Sequence, residues 1–135
     1  MQFEKIMIVD DSQIDRWLLI KTIRKTNLAS MTVEAATGAE ALDIITSSPP
    51  EEMPELIFLD VNMPAVNGFE FLEAFSKLSR DYVSRCRIVM ISSVSDAAEE
   101  ERAMEFSNVT GYYLKPLSID MLNQLSEQLR HTKAS

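Results

Sequence analysis

Five short apolar runs, separated by longer stretches of helical periodicity, constrain this chain more than any other feature. The runs are Ile6-Met7-Ile8-Val9, a weaker one from Met31 to Ala35, Leu56-Ile57-Phe58-Leu59, Ile88-Val89-Met90-Ile91 and Tyr112-Tyr113-Leu114. Most are continuously apolar and do not alternate, the pattern of strands covered on both faces. Residues 13–25, 39–46, 68–78, 97–106 and 119–130 read as helices. Ser12, Asn67, Asp96 and Ser118 stand at or beside helix starts, where short polar side chains accept from free backbone N–H groups. Pro49-Pro50 and Pro54 mark a loop before the third run. Five βα units in succession, joined by right-handed crossovers, predict an α/β fold: a doubly wound, five-stranded parallel sheet with five helices over its two faces.

A chain of 135 residues fits one domain with a core of its own. The pattern fills residues 5–130 and predicts a single domain followed by a short tail, with no output domain. There are 21 acidic and 13 basic side chains, a net charge of −8. That sign repels nucleic-acid phosphates and anionic lipid, so neither is an expected partner. Cys86 is the single cysteine and there is one histidine, which excludes an internal disulfide and Cys-His zinc frameworks. A reducing compartment is expected, hence the cytoplasm. The apolar run after the N-terminus is too short for a signal-peptide core, and no long apolar stretch follows.

Polar residues follow four of the five runs: Asp10-Asp11, Asp60, Ser92-Ser93 and Lys115-Pro116. In an open parallel sheet, ligands bind outside the carboxyl ends of the strands, where the strand order reverses. With the order 2-1-3-4-5, that reversal lies between strands one and three. Asp10, Asp11 and Asp60 would then surround one crevice, flanked by Ser92 and Lys115. Each residue alone has an ordinary reading as a turn, a cap or a solvated lysine. Four strand ends that are polar in complementary ways are harder to assign to accident.

The chain resembles the receiver domain of two-component response regulators, of the stand-alone, single-domain type. The resemblance rests on Ile8-Val9-Asp10-Asp11-Ser12, on Leu59-Asp60-Val61-Asn62-Met63-Pro64 with Gly68, on Met90-Ile91-Ser92-Ser93, and on Gly111-Tyr112-Tyr113-Leu114-Lys115-Pro116. It runs from about Lys5 to Arg130. It implies a flavodoxin-like fold, a required Mg²⁺, and phosphoryl transfer from the phosphohistidine of a sensor histidine kinase or histidine phosphotransfer protein. Carried onto this sequence, it makes Asp60 the phosphoacceptor and Asp10 and Asp11 the metal-binding pair. The Asn62 main-chain carbonyl becomes a further metal ligand, Ser92 the phosphoryl-contacting hydroxyl and Lys115 the counter-charge. Tyr112 matches the aromatic switch position: Ser92 moves toward the phosphoryl group and the Tyr112 ring fills the vacated space. The output surface would be the fourth helix, fifth strand and fifth helix, contacting a downstream target protein.

The chemistry suits these residue types. A carboxylate attacking a phosphoryl dianion needs its charge offset, and neighbouring carboxylates reverse their effect when they hold a hard cation. Lys115 adds a point positive charge, and Ser92 one hydroxyl donor. Gly68 suits a close approach before the third helix. Whether the Lys115-Pro116 bond is cis stays open; a cis bond costs little before proline and would aim the lysine inward. In the first helix, Ile14, Leu18, Leu19, Thr22 and Ile23 read as the core stripe, leaving Trp17 and Ile20 off it. In receivers this helix often docks the phosphodonor, and an exposed Trp17 would suit such a contact as well as packing on a neighbouring helix. One rival reading is a small Mg-dependent phosphohydrolase of the haloacid-dehalogenase type, with an Asp nucleophile. It would place the nucleophile on the first strand with an acid two residues later, whereas Asn62 holds that offset from Asp60. A flavin carrier of the same fold is opposed by Asp10-Asp11, which would repel the flavin phosphate. A degenerate receiver is opposed by the full set of key residues.

Overall fold

The computed structural model of the chain describes residues 2–63 and 66–132. In chain order the elements are β1 (Phe3–Val9), α1 (Gln13–Thr26), β2 (Ala29–Ala35), α2 (Gly38–Thr46), a 3₁₀ turn (Pro50–Glu52), β3 (Leu56–Asp60), α3 (Gly68–Ser76), α4 (Arg80–Val83), β4 (Arg87–Ser92), α5 (Ala97–Met104), β5 (Val109–Leu114) and α6 (Ile119–Thr132). All strand pairs are parallel and the order is β2-β1-β3-β4-β5, as predicted. Among the described residues the α-helices number six, not the five expected. The extra helix, α4, is one turn long and breaks the single predicted helix 68–78 from the strand after it. It starts at Ser79 without a side-chain cap and buries no residue, so it left no periodic signal to read. Pro64, part of the quoted motif, lies outside the described residues.

The two periodicities of strand and helix divide the core into two layers. Met7, Val9, Ile57, Leu59, Ile88 and Met90 point to one face, under Ala41 and Ile45 of α2, Phe71, Leu72 and Phe75 of α3 and Ala103 of α5. Ile6, Ile8, Leu56, Phe58, Val89 and Ile91 point to the other, under Leu19, Ile20 and Ile23 of α1 and Leu122, Leu125 and Leu129 of α6. Apolar residues on both faces of β1, β3 and β4 are what made those runs continuous. The predicted stripe on α1 is corrected here. Ile20 is buried, whereas Ile14 is 70% exposed and Leu18 44% exposed. The helix packs through Leu19, Ile20 and Ile23, which turns its core face by about one residue, or roughly 100°. Of the two placements left open for Trp17, the structure has the exposed one: it stands outward, with the Lys21 ammonium 4.7 Å from its ring centre.

The predicted caps hold these helices at the sheet's edge. Ser12 Oγ accepts from the Asp15 N–H, and Ser118 Oγ from the Met121 N–H. Asp96 Oδ1 accepts from Ala98 and Glu99. Asn67 and Glu70 form a reciprocal capping box at the start of α3. These contacts fix where each loop leaves the carboxyl end of the sheet.

Candidate functional site

β1 ends at Val9, so Asp10 and Asp11 begin the loop into α1. Asp10 is buried at 1% exposure, and its Oδ1 accepts from the Ser12 N–H at 2.9 Å, closing the turn that starts the helix. Asp11 is exposed. Asp60 ends β3, the central strand, and is 3% exposed; its Oδ1 accepts from the Asn62 N–H at 3.2 Å. Gly68 lies against this strand end, where a Cβ would fall 2.8 Å from the Asp60 carbonyl oxygen and 3.0 Å from Val61 Cα. Only a glycine lets α3 start so close to the acidic turn. Lys115 follows β5 and precedes Pro116 across a cis peptide bond.

These strand ends converge as expected. One carboxylate oxygen each from Asp10, Asp11 and Asp60 lies within 4.8 Å of the others. Lys115 Nζ is 2.7 Å from Asp10 Oδ2 and 3.5 Å from Asp60 Oδ2. Burial is the main cause that pushes the Asp60 carboxyl up, to about 7; the charge of Asp10 adds to the rise, and that of Lys115 opposes it. For Lys115, burial disfavours the charged form, but hydrogen bonds to Asp10 and Asp15 outweigh it and raise the ammonium's affinity for its proton. A cluster of three hard oxygen donors with its charges so crowded suits a small divalent cation such as Mg²⁺.

Ser92, fully buried at the end of β4, is turned toward its own loop. Its Oγ donates to the Val94 carbonyl at 3.0 Å and accepts from the Val94 N–H at 3.3 Å. Tyr112 pairs with Met90 in the sheet and is half-buried, its hydroxyl donating to Glu99 Oε1 of α5 and lying 3.4 Å from that same Val94 carbonyl. Ser92 and Tyr112 therefore meet through one backbone carbonyl. Asn62 is exposed at the mouth of the site.

The sequence reading missed three participants. Asp15 Oδ2 lies 2.9 Å from Lys115 Nζ. Arg16 donates from Nη1 to the Asp10 carbonyl at 2.6 Å and from Nε to Glu34 at 3.0 Å, tying the acidic turn to the end of β2. Glu99 accepts from Tyr112. All three sit inside helices, where charge reads as a solvated face. The one available hint was Asp15 in the first turn of a helix that begins at the acid pair.

Comparison with known proteins agrees with this geometry. Residues 6–127 match the model of the response regulator receiver domain family. The chain is 31% identical over 120 residues to sporulation initiation phosphotransferase F of Bacillus subtilis, covering 89% of this chain and 88% of that protein. Longer relatives are matched over a part of their length, such as 46% of an uncharacterized response regulatory protein of Staphylococcus epidermidis. Among solved structures, a response regulator receiver protein from Dyadobacter fermentans superposes with a TM-score of 0.83 at 31% identity, over 95% of this chain and 96% of that one. The chemotaxis protein CheY4 of Vibrio cholerae superposes with a TM-score of 0.75 at 26% identity, over 93% and 97%. The chain belongs to the response regulator receiver domain family of two-component and phosphorelay systems.

Proposed function

We propose that the chain is a phospho-accepting switch, in which Asp60 takes a phosphoryl group from the phosphohistidine of a sensor histidine kinase or histidine phosphotransfer protein. The observation that supports this reading is the meeting of Asp10, Asp11 and Asp60 with the Lys115 ammonium at the carboxyl ends of β1, β3 and β5. An Asp60 carboxylate oxygen attacks phosphorus. The new O–P bond forms as the P–N bond to the donor imidazole breaks, and that ring nitrogen keeps the electron pair. Lys115 favours the ionised form of Asp60 and is placed to meet a phosphoryl oxygen. Ser92 supplies one hydroxyl donor once it leaves the Val94 carbonyl.

Asp10, Asp11 and Asp60 are the residues to hold Mg²⁺, with the Asn62 main-chain carbonyl as a further ligand. Bound there, the cation neutralises charge on the phosphoryl oxygens and so lowers the barrier to attack. The chain itself acts only on its own acceptor, phosphorylating and dephosphorylating it, and turns over no external substrate. The exposed apolar residues Ile14, Trp17 and Leu18 on α1 stand beside the site and suit a donor helix. Release of Ser92 frees the carbonyl it shares with Tyr112, so the ring moves inward and changes the surface of α5, β5 and α6 that a downstream protein reads.

Intact-mass analysis after incubation with acetyl phosphate and Mg²⁺ tests the proposal. One labile phosphoryl group per chain is expected, absent in Asp60→Asn and absent with a chelator. Full modification of Asp60→Asn overturns the acceptor role. Sustained release of inorganic phosphate with no modified protein favours the phosphohydrolase.

A further inference from the structure

We infer that Asp15 is a positioning residue that holds the Lys115 ammonium on the α1 side of the site, away from the acceptor, and so restrains phosphorylation. The inference rests on the proposed role of Lys115 as partner to the phosphoryl group. The ammonium has three carboxylates around it, and the distances are unequal: 2.7 Å to Asp10, 2.9 Å to Asp15 and 3.5 Å to Asp60. The first two are hydrogen-bond lengths, whereas the third is beyond the usual range for an ammonium and a carboxylate. The lysine thus faces the acceptor but is bonded elsewhere.

Asp15 is well placed to set that position. Its backbone is fixed in the first turn of α1 by the Ser12 cap. Its carboxylate meets Lys115 directly at 2.9 Å, and both side chains line a cavity of about 260 Å³ between α1 and the loop that follows β5, with Asp10, Leu18, Thr22 and Leu117. Asp10 is tied to its own turn by the Ser12 N–H and buried, so its bond to Lys115 persists through any small movement of the lysine. The Asp15 side chain is 40% exposed and can turn to water at little cost. It is therefore the bond that gives way when the ammonium advances toward a phosphoryl group on Asp60. Until then it opposes that advance.

Asp15→Asn keeps the shape and a hydrogen-bond acceptor but removes the charge. Its phosphorylation by phosphoramidate, at saturating Mg²⁺, should run about three- to tenfold faster than the parent's, as loss of a part-exposed ion pair implies. In a Lys115→Ala background the same substitution should change the rate less than about twofold, because the effect runs through the lysine. A second readout does not involve phosphate: in the metal-free protein, NMR should show the Lys115 ammonium protons exchanging with water faster in Asp15→Asn than in the parent. An equal or slower phosphorylation rate in Asp15→Asn, or unchanged ammonium exchange, overturns the inference. So does an equal acceleration with and without Lys115, which would reduce Asp15 to general charge. A parent protein that takes no phosphoryl group at all overturns the proposed function first, and the restraint with it.

Discussion

Asp60 sits 3% exposed beside a second buried carboxylate, and burial with Asp10 pushes its carboxyl up from 3.8 to about 7. The folded chain therefore binds this proton more tightly than the unfolded chain does. Stability from the group is fully present below the unfolded value and is lost as pH rises through about 7. In chelator, Asp60→Asn removes that loss. It should be more stable than the parent at pH 8 by on the order of 2–3 kcal/mol, and much closer to the parent at pH 5. Lys115 still has Asp10 and Asp15 in the variant, so no cation is stranded. Urea denaturation at both pH values, with chelator present, gives the comparison. A stability difference that does not change between pH 5 and pH 8 would show that Asp60 is not strained by its surroundings.

At the scale of elements, α1 has two faces with different work. Ile20 packs under the sheet with Leu19 and Ile23, whereas Ile14, Trp17 and Leu18 face outward beside the site. Ile20→Ala should cost about 2–4 kcal/mol in denaturant unfolding, through lost burial and the cavity left. Ile14→Ala should cost less than about 0.5 kcal/mol and yet slow phosphorylation by a histidine-phosphorylated donor, while leaving the rate with acetyl phosphate unchanged. A large stability loss in Ile14→Ala, or none in Ile20→Ala, would restore the stripe expected from sequence. That stripe failed because six apolar residues within 14–23 left two helical faces nearly equal in apolarity, and only packing against α6 chose between them. The interior strands β1, β3 and β4 were legible because their runs are apolar on both faces. The edge strands were read late, from Met31 and Tyr112, because Ser30 and Thr110 interrupt the apolar signal where β2 and β5 begin, at Ala29 and Val109. The candidate site was legible wherever its side chains stand at or just past a strand end, as Asp10, Asp11, Asp60, Ser92 and Lys115 all do. Asp15 and Glu99 were not, because both sit within helices and charge on a helix ordinarily means solvent.

The whole molecule carries a net charge of −8, and its fold gathers three of its carboxylates at one point. The unfolded chain keeps Asp60 apart from the Asp10-Asp11 pair, so folding bears a repulsion that a cation bound only by the folded form would relieve. Two effects then need separating: occupation of the cluster, and general screening of an acidic protein. Ligand linkage gives about 2.7 kcal/mol at a free cation concentration one hundred times Kd. For a domain of this size that is a rise of several degrees in Tm. Screening depends on ionic strength and not on one site. Asp11 is the carboxylate to remove, because it is exposed and its loss leaves the core untouched. Thermal unfolding of the parent and of Asp11→Ala, with Mg²⁺ replaced by NaCl at constant ionic strength, should give the parent a gain of several degrees from Mg²⁺. Asp11→Ala should gain less than about one degree, since at least one of the gathered oxygens is gone and the affinity falls with it. Without Mg²⁺ the variant should match or exceed the parent, because a like charge has left the cluster. An equal gain in both proteins would assign the effect to the charge of the whole chain and not to the carboxylates at the ends of β1 and β3.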